Sequence, residues 1–182
     1  VKIMKILLID NNDSFTRNLE HLLVAAVNKA VVTVVPYASL PALPLDEQDL
    51  IVISPGPGDP AEYPGYDRIF AAGVPVLGVC LGMQIINRHF DGCTGKLAGC
   101  VHGKTDVVQL NGREHVVARY HSLHVVKTGQ GLDVLASNAD GVVMCLGSRQ
   151  KHVLGFQFHP ESFLSPDGGW FIAYALDYLA LD

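Results

Sequence analysis

The residues with the clearest chemical potential are Gly78-Val79-Cys80-Leu81-Gly82, a thiol between glycines directly after an apolar run. In a nucleophile elbow a strand turns sharply into a helix, and glycines remove side chains that would strike the backbone. The helix that follows points its partly positive N-terminus at Cys80, which favours thiolate over thiol. A buried structural cysteine would satisfy the same five residues. Two further segments weigh against that. Phe156-Gln157-Phe158-His159-Pro160-Glu161-Ser162 ends a strand-like run on a histidine, with a carboxylate two residues later. Glu161 can orient the His159 ring and stabilise its protonated form, while His159 exchanges a proton with Cys80. Ser54-Pro55-Gly56-Pro57-Gly58-Asp59-Pro60 is a stiff loop whose glycines leave backbone amides open to close approach. Together with the Leu81 amide, such a loop can supply an oxyanion hole.

These groups need elements to hold them. Apolar runs at 2–9, 31–35, 50–53 and 75–79 read as strands, each nearly continuous, as for parallel strands covered on both faces. Helical patterns occupy 14–29, with Phe15, Leu19, Leu22, Leu23 and Ala26 on one face, and 81–90, which stops at the turn signal Asp91-Gly92. Asp13 or Ser14 is the expected N-cap of the first helix. Further strands are expected at 105–110, 115–118, 132–136, 142–146 and 153–158, and a last helix at 170–181. The pattern predicts an α/β fold: an open, mostly parallel sheet flanked by helices, with a β-rich addition. No repeat or linker divides the chain, so residues 1–182 are expected to form one domain. Active sites in such folds lie beyond the carboxyl ends of the parallel strands, where Cys80 and the 54–60 loop fall.

Composition narrows the function classes. Net charge is −5, and no Lys/Arg cluster could replace phosphate counterions, so nucleic acid is not expected as a partner. The richest apolar stretch, 22–35, is broken by Asn28, Lys29 and Thr33 and is too short to span a bilayer. Lys2 and Lys5 lead straight into the strand-like Ile6-Leu7-Leu8-Ile9, unlike a signal peptide. Four cysteines do not make a disulfide framework in a chain this long, and a cytoplasmic setting is expected. With 49% hydrophobic and 17% charged residues, some surface is expected to be covered by a partner.

The motifs resemble those of the class I (triad) glutamine amidotransferases, whose elbow Gly-Val-Cys-Leu-Gly-x-Gln stands here at Gly78 to Gln84. Within that superfamily the chain is similar to the glutaminase subunits of anthranilate and aminodeoxychorismate synthases, through Asp10-Asn11-Asn12-Asp13-Ser14-Phe15-Thr16, Ser54 to Gly58, His102-Gly103-Lys104-Thr105, Tyr120-His121-Ser122-Leu123 and His159 to Ser162. Five motifs in order cover essentially the whole chain. The resemblance implies a flavodoxin-like fold with Cys80 as nucleophile, His159 as general acid/base and Glu161 as its orienter. It implies an oxyanion hole from the amides of Gly56 and Leu81, and a site for the amino-acid end of L-glutamine at Gln84, Ser122 and Leu123. The implied partner is a chorismate-using synthase component, in a heterodimer or heterotetramer, with His102 and Lys104 near the interface. No metal or cofactor is expected in this chain, and the partner is expected to need Mg2+. Met83 departs from the histidine that such subunits often carry, and the 35–45 loop looks trimmed.

Competing patterns are weaker. Ala98 to Thr105 nearly matches a phosphate loop, but it precedes a strand-like segment where a helix would be required. His121 and His124 have metal-compatible spacing without a carboxylate partner in register. A cysteine hydrolase of the α/β-hydrolase type shares the elbow, yet places its acid before its histidine. Glutaminases of other class I amidotransferases remain an alternative, and a non-catalytic binding module fits poorly because all three catalytic side chains are present.

Overall fold

The computed structural model describes residues 3–181, and the side chains of residues 100–102 lie outside the described set. The chain runs β1 (Met4–Asp10), α1 (Thr16–Ala26), β2 (Ala30–Pro36), β3 (Leu50–Ile53), α2 (Asp67–Ala71), β4 (Val76–Val79) and α3 (Leu81–His89). There follow β5 (Cys93–Leu110), β6 (Arg113–Lys127), β7 (Asp133–Ser137), β8 (Val143–Ser148), β9 (Val153–Phe156) and α4 (Gly168–Tyr178). Seven strands form one sheet in the order β2-β1-β3-β4-β9-β8-β7. The first five are mutually parallel, and β8 and β7 close one edge antiparallel. β5 and β6 pair as a separate antiparallel ribbon.

Alternation along the strands divides the core between the two faces. Ile6 and Leu8 of β1 join Leu19 and Leu23 of α1 and Phe171, Ile172 and Ala175 of α4. Leu7 and Ile9 face the other way, onto Met83 and Ile86 of α3 and Ile69 of α2. Each fully buried leucine contributes about 1.5–3 kcal/mol, so the two faces fix the sheet between its helices from both sides.

Several expectations need correction. β2 is an edge strand and only half covered, with Val31 53% exposed, so its apolar run does not mean burial on both faces. The first helix spans Thr16–Ala26, shorter than 14–29, because Val27 is extended and Lys29 turns with φ 59°. Its N-cap is Phe15, without a side-chain cap. Asp13 instead accepts from the Phe15 amide just before the helix, at 2.9 Å, while Thr16 donates to Asp10 at 2.8 Å. The expected strands at 105–110 and 115–118 are parts of a much longer ribbon. Register shifts at Lys96/Val101 and His102/Lys104, beside the positive-φ Gly99 and Gly103, hide its alternation. α2, only five residues long, is too short to show an amphipathic period and has no counterpart among the expected helices.

Candidate active site

Four parallel strands end at one rim, and each delivers a piece of the site. β4 ends at Val79, and Cys80 occupies φ 54°, ψ −105° as the N-cap residue of α3. That conformation costs a non-glycine residue about 1–3 kcal/mol. It is held by the Cys80 amide donating to the Phe156 carbonyl at 2.7 Å and by the Cys80 carbonyl accepting from Gln84 N at 3.2 Å. The glycines on either side have the steric role expected. A Cβ on Gly78 would lie 2.4 Å from the Gly82 carbonyl carbon, and one on Gly82 would lie 2.3 Å from the Ile53 oxygen. Leu81 is the first helical residue, so its N–H has no intrahelical acceptor and is free for another role.

β9 carries the chain to His159, whose amide donates to the Ala118 carbonyl of the ribbon at 3.0 Å. Ser165 Oγ donates to the His159 carbonyl at 2.6 Å. Nδ1 of His159 lies 2.6 Å from Glu161 Oε1. Burial alone would lower the His159 pKa, but the charge of the Cys80 sulfur, hydrogen bonding to it, and the Glu161 carboxylate outweigh this and raise it well above the ordinary value. Phe15 and Tyr120 wall the ring, with centroids 5.4 and 5.2 Å away. Asp13, at the end of the β1 loop, is raised by burial and couples to both His159 and Glu161.

After β3 the 54–60 loop is pinned from beneath. Asn11 N donates to Ser54 Oγ and Asn11 Nδ2 to Ser54 O, both at 2.9 Å, and Tyr66 OH donates to Asn11 Oδ1 at 2.6 Å. Tyr63 OH donates to the Pro57 carbonyl at 2.7 Å, and Asp59 and Glu62 form a reciprocal capping box. A Cβ on Gly56 would meet Asn11 Cβ and Leu81 Cδ2 at 2.7 Å, so only glycine lets this loop sit against the elbow.

The residues expected at the site converge. Gly56, Cys80, Leu81, Gln84, Ser122 and Leu123 line one cleft of about 230 Å³, with His159 and Glu161 buried beside Cys80. Lys104 lies elsewhere, exposed on the ribbon opposite Arg119. The His102 side chain lies outside the described residues. The near phosphate loop, Ala98 to Thr105, is strand throughout and opens no helix. His121 lines the cleft but uses both nitrogens, Nδ1 with the Leu123 carbonyl at 2.8 Å and Nε2 accepting from Arg119 at 3.0 Å. Burial is the main reason its pKa falls to about 4.

Two features of the site go beyond the expected residues. Phe15 and Tyr120 enclose His159, although both stand within the motifs that carry the resemblance. Gln157 is wholly buried and donates to Cys80 Sγ at 3.6 Å. A polar residue between two buried phenylalanines, Phe156 and Phe158, is its only signal in the sequence.

Comparisons with known proteins agree with this geometry. The family model for glutamine amidotransferase class-I matches residues 7–176. The chain is 42% identical to anthranilate synthase component 2 of Archaeoglobus fulgidus, over 90% of this chain and 92% of that one. It is 40% identical to an aminodeoxychorismate synthase of Streptomyces griseus, over 91% of this chain but only 25% of that longer protein. A solved structure from Thermoplasma acidophilum, described as a GMP synthase subunit, superposes with a TM-score of 0.81, covering 99% of this chain and 96% of the other at 22% identity. At that identity the likeness concerns the fold, which is the expected sheet with flanking helices. Both the near-complete model match and the shared length with the archaeal relative place the chain in the class-I glutamine amidotransferase family.

Proposed function

We propose that the protein is a glutaminase subunit that releases ammonia from L-glutamine and passes it to a chorismate-using synthase subunit making anthranilate or aminodeoxychorismate. The observation that carries this reading is the strained Cys80 turn at the head of α3, beside the buried His159–Glu161 pair. The relatives named above support the choice of synthase. The reading takes residues 1–182 as one amidotransferase domain acting in the cytoplasm with no cofactor of its own. Among the described residues no helix is long and apolar enough to cross a membrane.

In the reaction, the Cys80 thiolate attacks the carboxamide carbon and the carbonyl pair moves onto oxygen. The amides of Gly56 and Leu81 hold that oxyanion. Protonated His159 donates to the departing nitrogen, the C–N bond breaks, and ammonia leaves a γ-glutamyl thioester. Neutral His159 then takes a proton from water, which attacks the thioester and expels the thiolate with glutamate. Glu161 stabilises the imidazolium at both stages. Gln84, Ser122 and Leu123 hold the amino-acid end of the substrate. Ammonia protonated in bulk water is no nucleophile, so direct transfer explains a partner-facing surface, to which His102 and Lys104 are assigned.

The test is glutamate release with and without the chorismate-using subunit, beside Cys80→Ala, followed by identification of the product formed from chorismate. Thioester formation by Cys80→Ala, or indifference to glutamine in the presence of the partner, would overturn the reading.

A further inference from the structure

The hydrogen bonds beneath the cleft run in one determined direction. Gln84 Nε2 lies 3.1 Å from the Leu123 carbonyl and 3.0 Å from Gln157 Oε1, and Gln157 Nε2 lies 3.6 Å from Cys80 Sγ. A backbone carbonyl can only accept, so the Leu123 oxygen requires the NH2 end of Gln84. The same NH2 group then requires an oxygen from Gln157, which turns the Gln157 NH2 toward the sulfur. Both glutamines are buried, with 3% and 0% exposure, so no solvent competes to reverse either amide. The orientation follows from the chemistry of the carbonyl at the end of the chain.

We propose that Gln157 is a positioning residue that presents an N–H donor to the Cys80 thiolate, with its orientation set through Gln84 by the Leu123 carbonyl of the cleft wall. A hydrogen bond offered to the charged form favours that form. It also holds the sulfur in one rotamer while the bond to carbon forms. Because Leu123 lines the cleft, displacement of that segment releases Gln84, then Gln157, then the donor at sulfur. The proposal deepens the glutaminase reading and rests on Cys80 as its nucleophile.

Other charged and titratable groups couple to His159 and His121 at the cleft. His159 and Glu161 follow β9, Asp13 follows β1, and His121, Arg119 and His124 stand on β6. None of them is replaced by an uncharged substitution at 157, so the charges around the cleft stay as they are. Gln157→Met keeps the length of the side chain and removes both the donor to sulfur and the acceptor for Gln84 without adding a charge.

The experiment is iodoacetamide alkylation of Cys80 across pH in the intact chain, followed by peptide mass spectrometry, with exposed Cys93 as internal control. The pH of half-maximal Cys80 alkylation should move up by about one unit in Gln157→Met. Cys93 should not change. With the partner present, kcat for glutamine should fall by about tenfold at unchanged KM, as for a bond to the reacting atom. A Cys80 profile identical to wild type in Gln157→Met would overturn the relay. Were that variant unfolded by near-ultraviolet circular dichroism, Gln84→Met would serve in its place. It should shift the profile in the same direction, and no shift would overturn the relay. If Cys80 in the wild-type chain reacted no faster than Cys93 at any pH, the nucleophile assignment itself would fail, a result distinct from loss of the relay alone.

Discussion

His159 and Glu161 meet at 2.6 Å with their side chains 3% and 0% exposed, so the pair is closed to water. The carboxylate keeps a hydrogen on Nδ1, and among the described residues Nε2 has no other hydrogen-bond partner, which suits the proton exchange proposed for it. Glu161→Gln removes the charge that stabilises the imidazolium. Its kcat should fall on the order of 10²–10⁴-fold, with KM for glutamine little changed. Steady-state glutamate release with the partner present measures both, and an unchanged kcat would show that Glu161 does not stabilise the imidazolium.

Gly56 sits where a methyl group would press Asn11 and Leu81 at 2.7 Å. Gly56→Ala should therefore push the 54–60 loop away from the elbow and misplace its amide. A loss of about 10²–10³-fold in kcat is expected, the scale of one missing oxyanion donor, with the folded state retained by circular dichroism. Full activity in this variant would mean that the loop contributes no donor.

Met83 packs directly against Gly155 of β9. It is wholly buried, and a Cβ on Gly155 of β9 would lie 2.4 Å from Met83 Cγ and 3.0 Å from its Cα. Gly155→Ala should destabilise the protein by about 1–3 kcal/mol through overpacking. The cost should be smaller in a Met83→Ala background, because the two changes share one space. Urea unfolding of the four chains gives the coupling, and strict additivity would show that Met83 Cγ is not the obstruction.

His121 links pH to stability. Burial, with a smaller effect from the Arg119 charge, lowers its pKa from 6.5 to about 4 in spite of its bond to Leu123. Between those values the unfolded chain binds more protons than the folded one, so stability falls as pH drops through 6.5 toward 4. The loss approaches about 3 kcal/mol once pH lies below both values. His121→Gln keeps an acceptor for Arg119 and has no proton to gain. Urea midpoints at about pH 7 and about pH 4.5 should therefore separate less in the variant than in the wild type. An equal separation would place the acid sensitivity in other groups.

The sequence alone carried the chemistry and most of the parallel sheet. An elbow is legible because Gly78 and Gly82 flank Cys80 within five residues, and His159 and Glu161 lie two apart after an apolar strand. Such local spacings map directly onto local geometry, and the continuous run Leu50–Ile53 forms the buried strand expected of it. The long ribbon was illegible because its bulges break the period of two on which strand recognition depends. The half-covered state of β2 depends on its place at the sheet edge, which no property of its own residues reveals.

Only the tertiary structure decided how the separated motifs work together. Gln84, Gln157 and Leu123 are up to 77 residues from the partners they bond, and no periodicity records a contact across that distance. The direction of their hydrogen bonds depends on a backbone carbonyl, an atom every residue carries, so its importance is invisible until folding places it. The residue types determined what chemistry was available to this chain. The fold decided which of them meet, because burial without water makes each remaining polar contact obligatory.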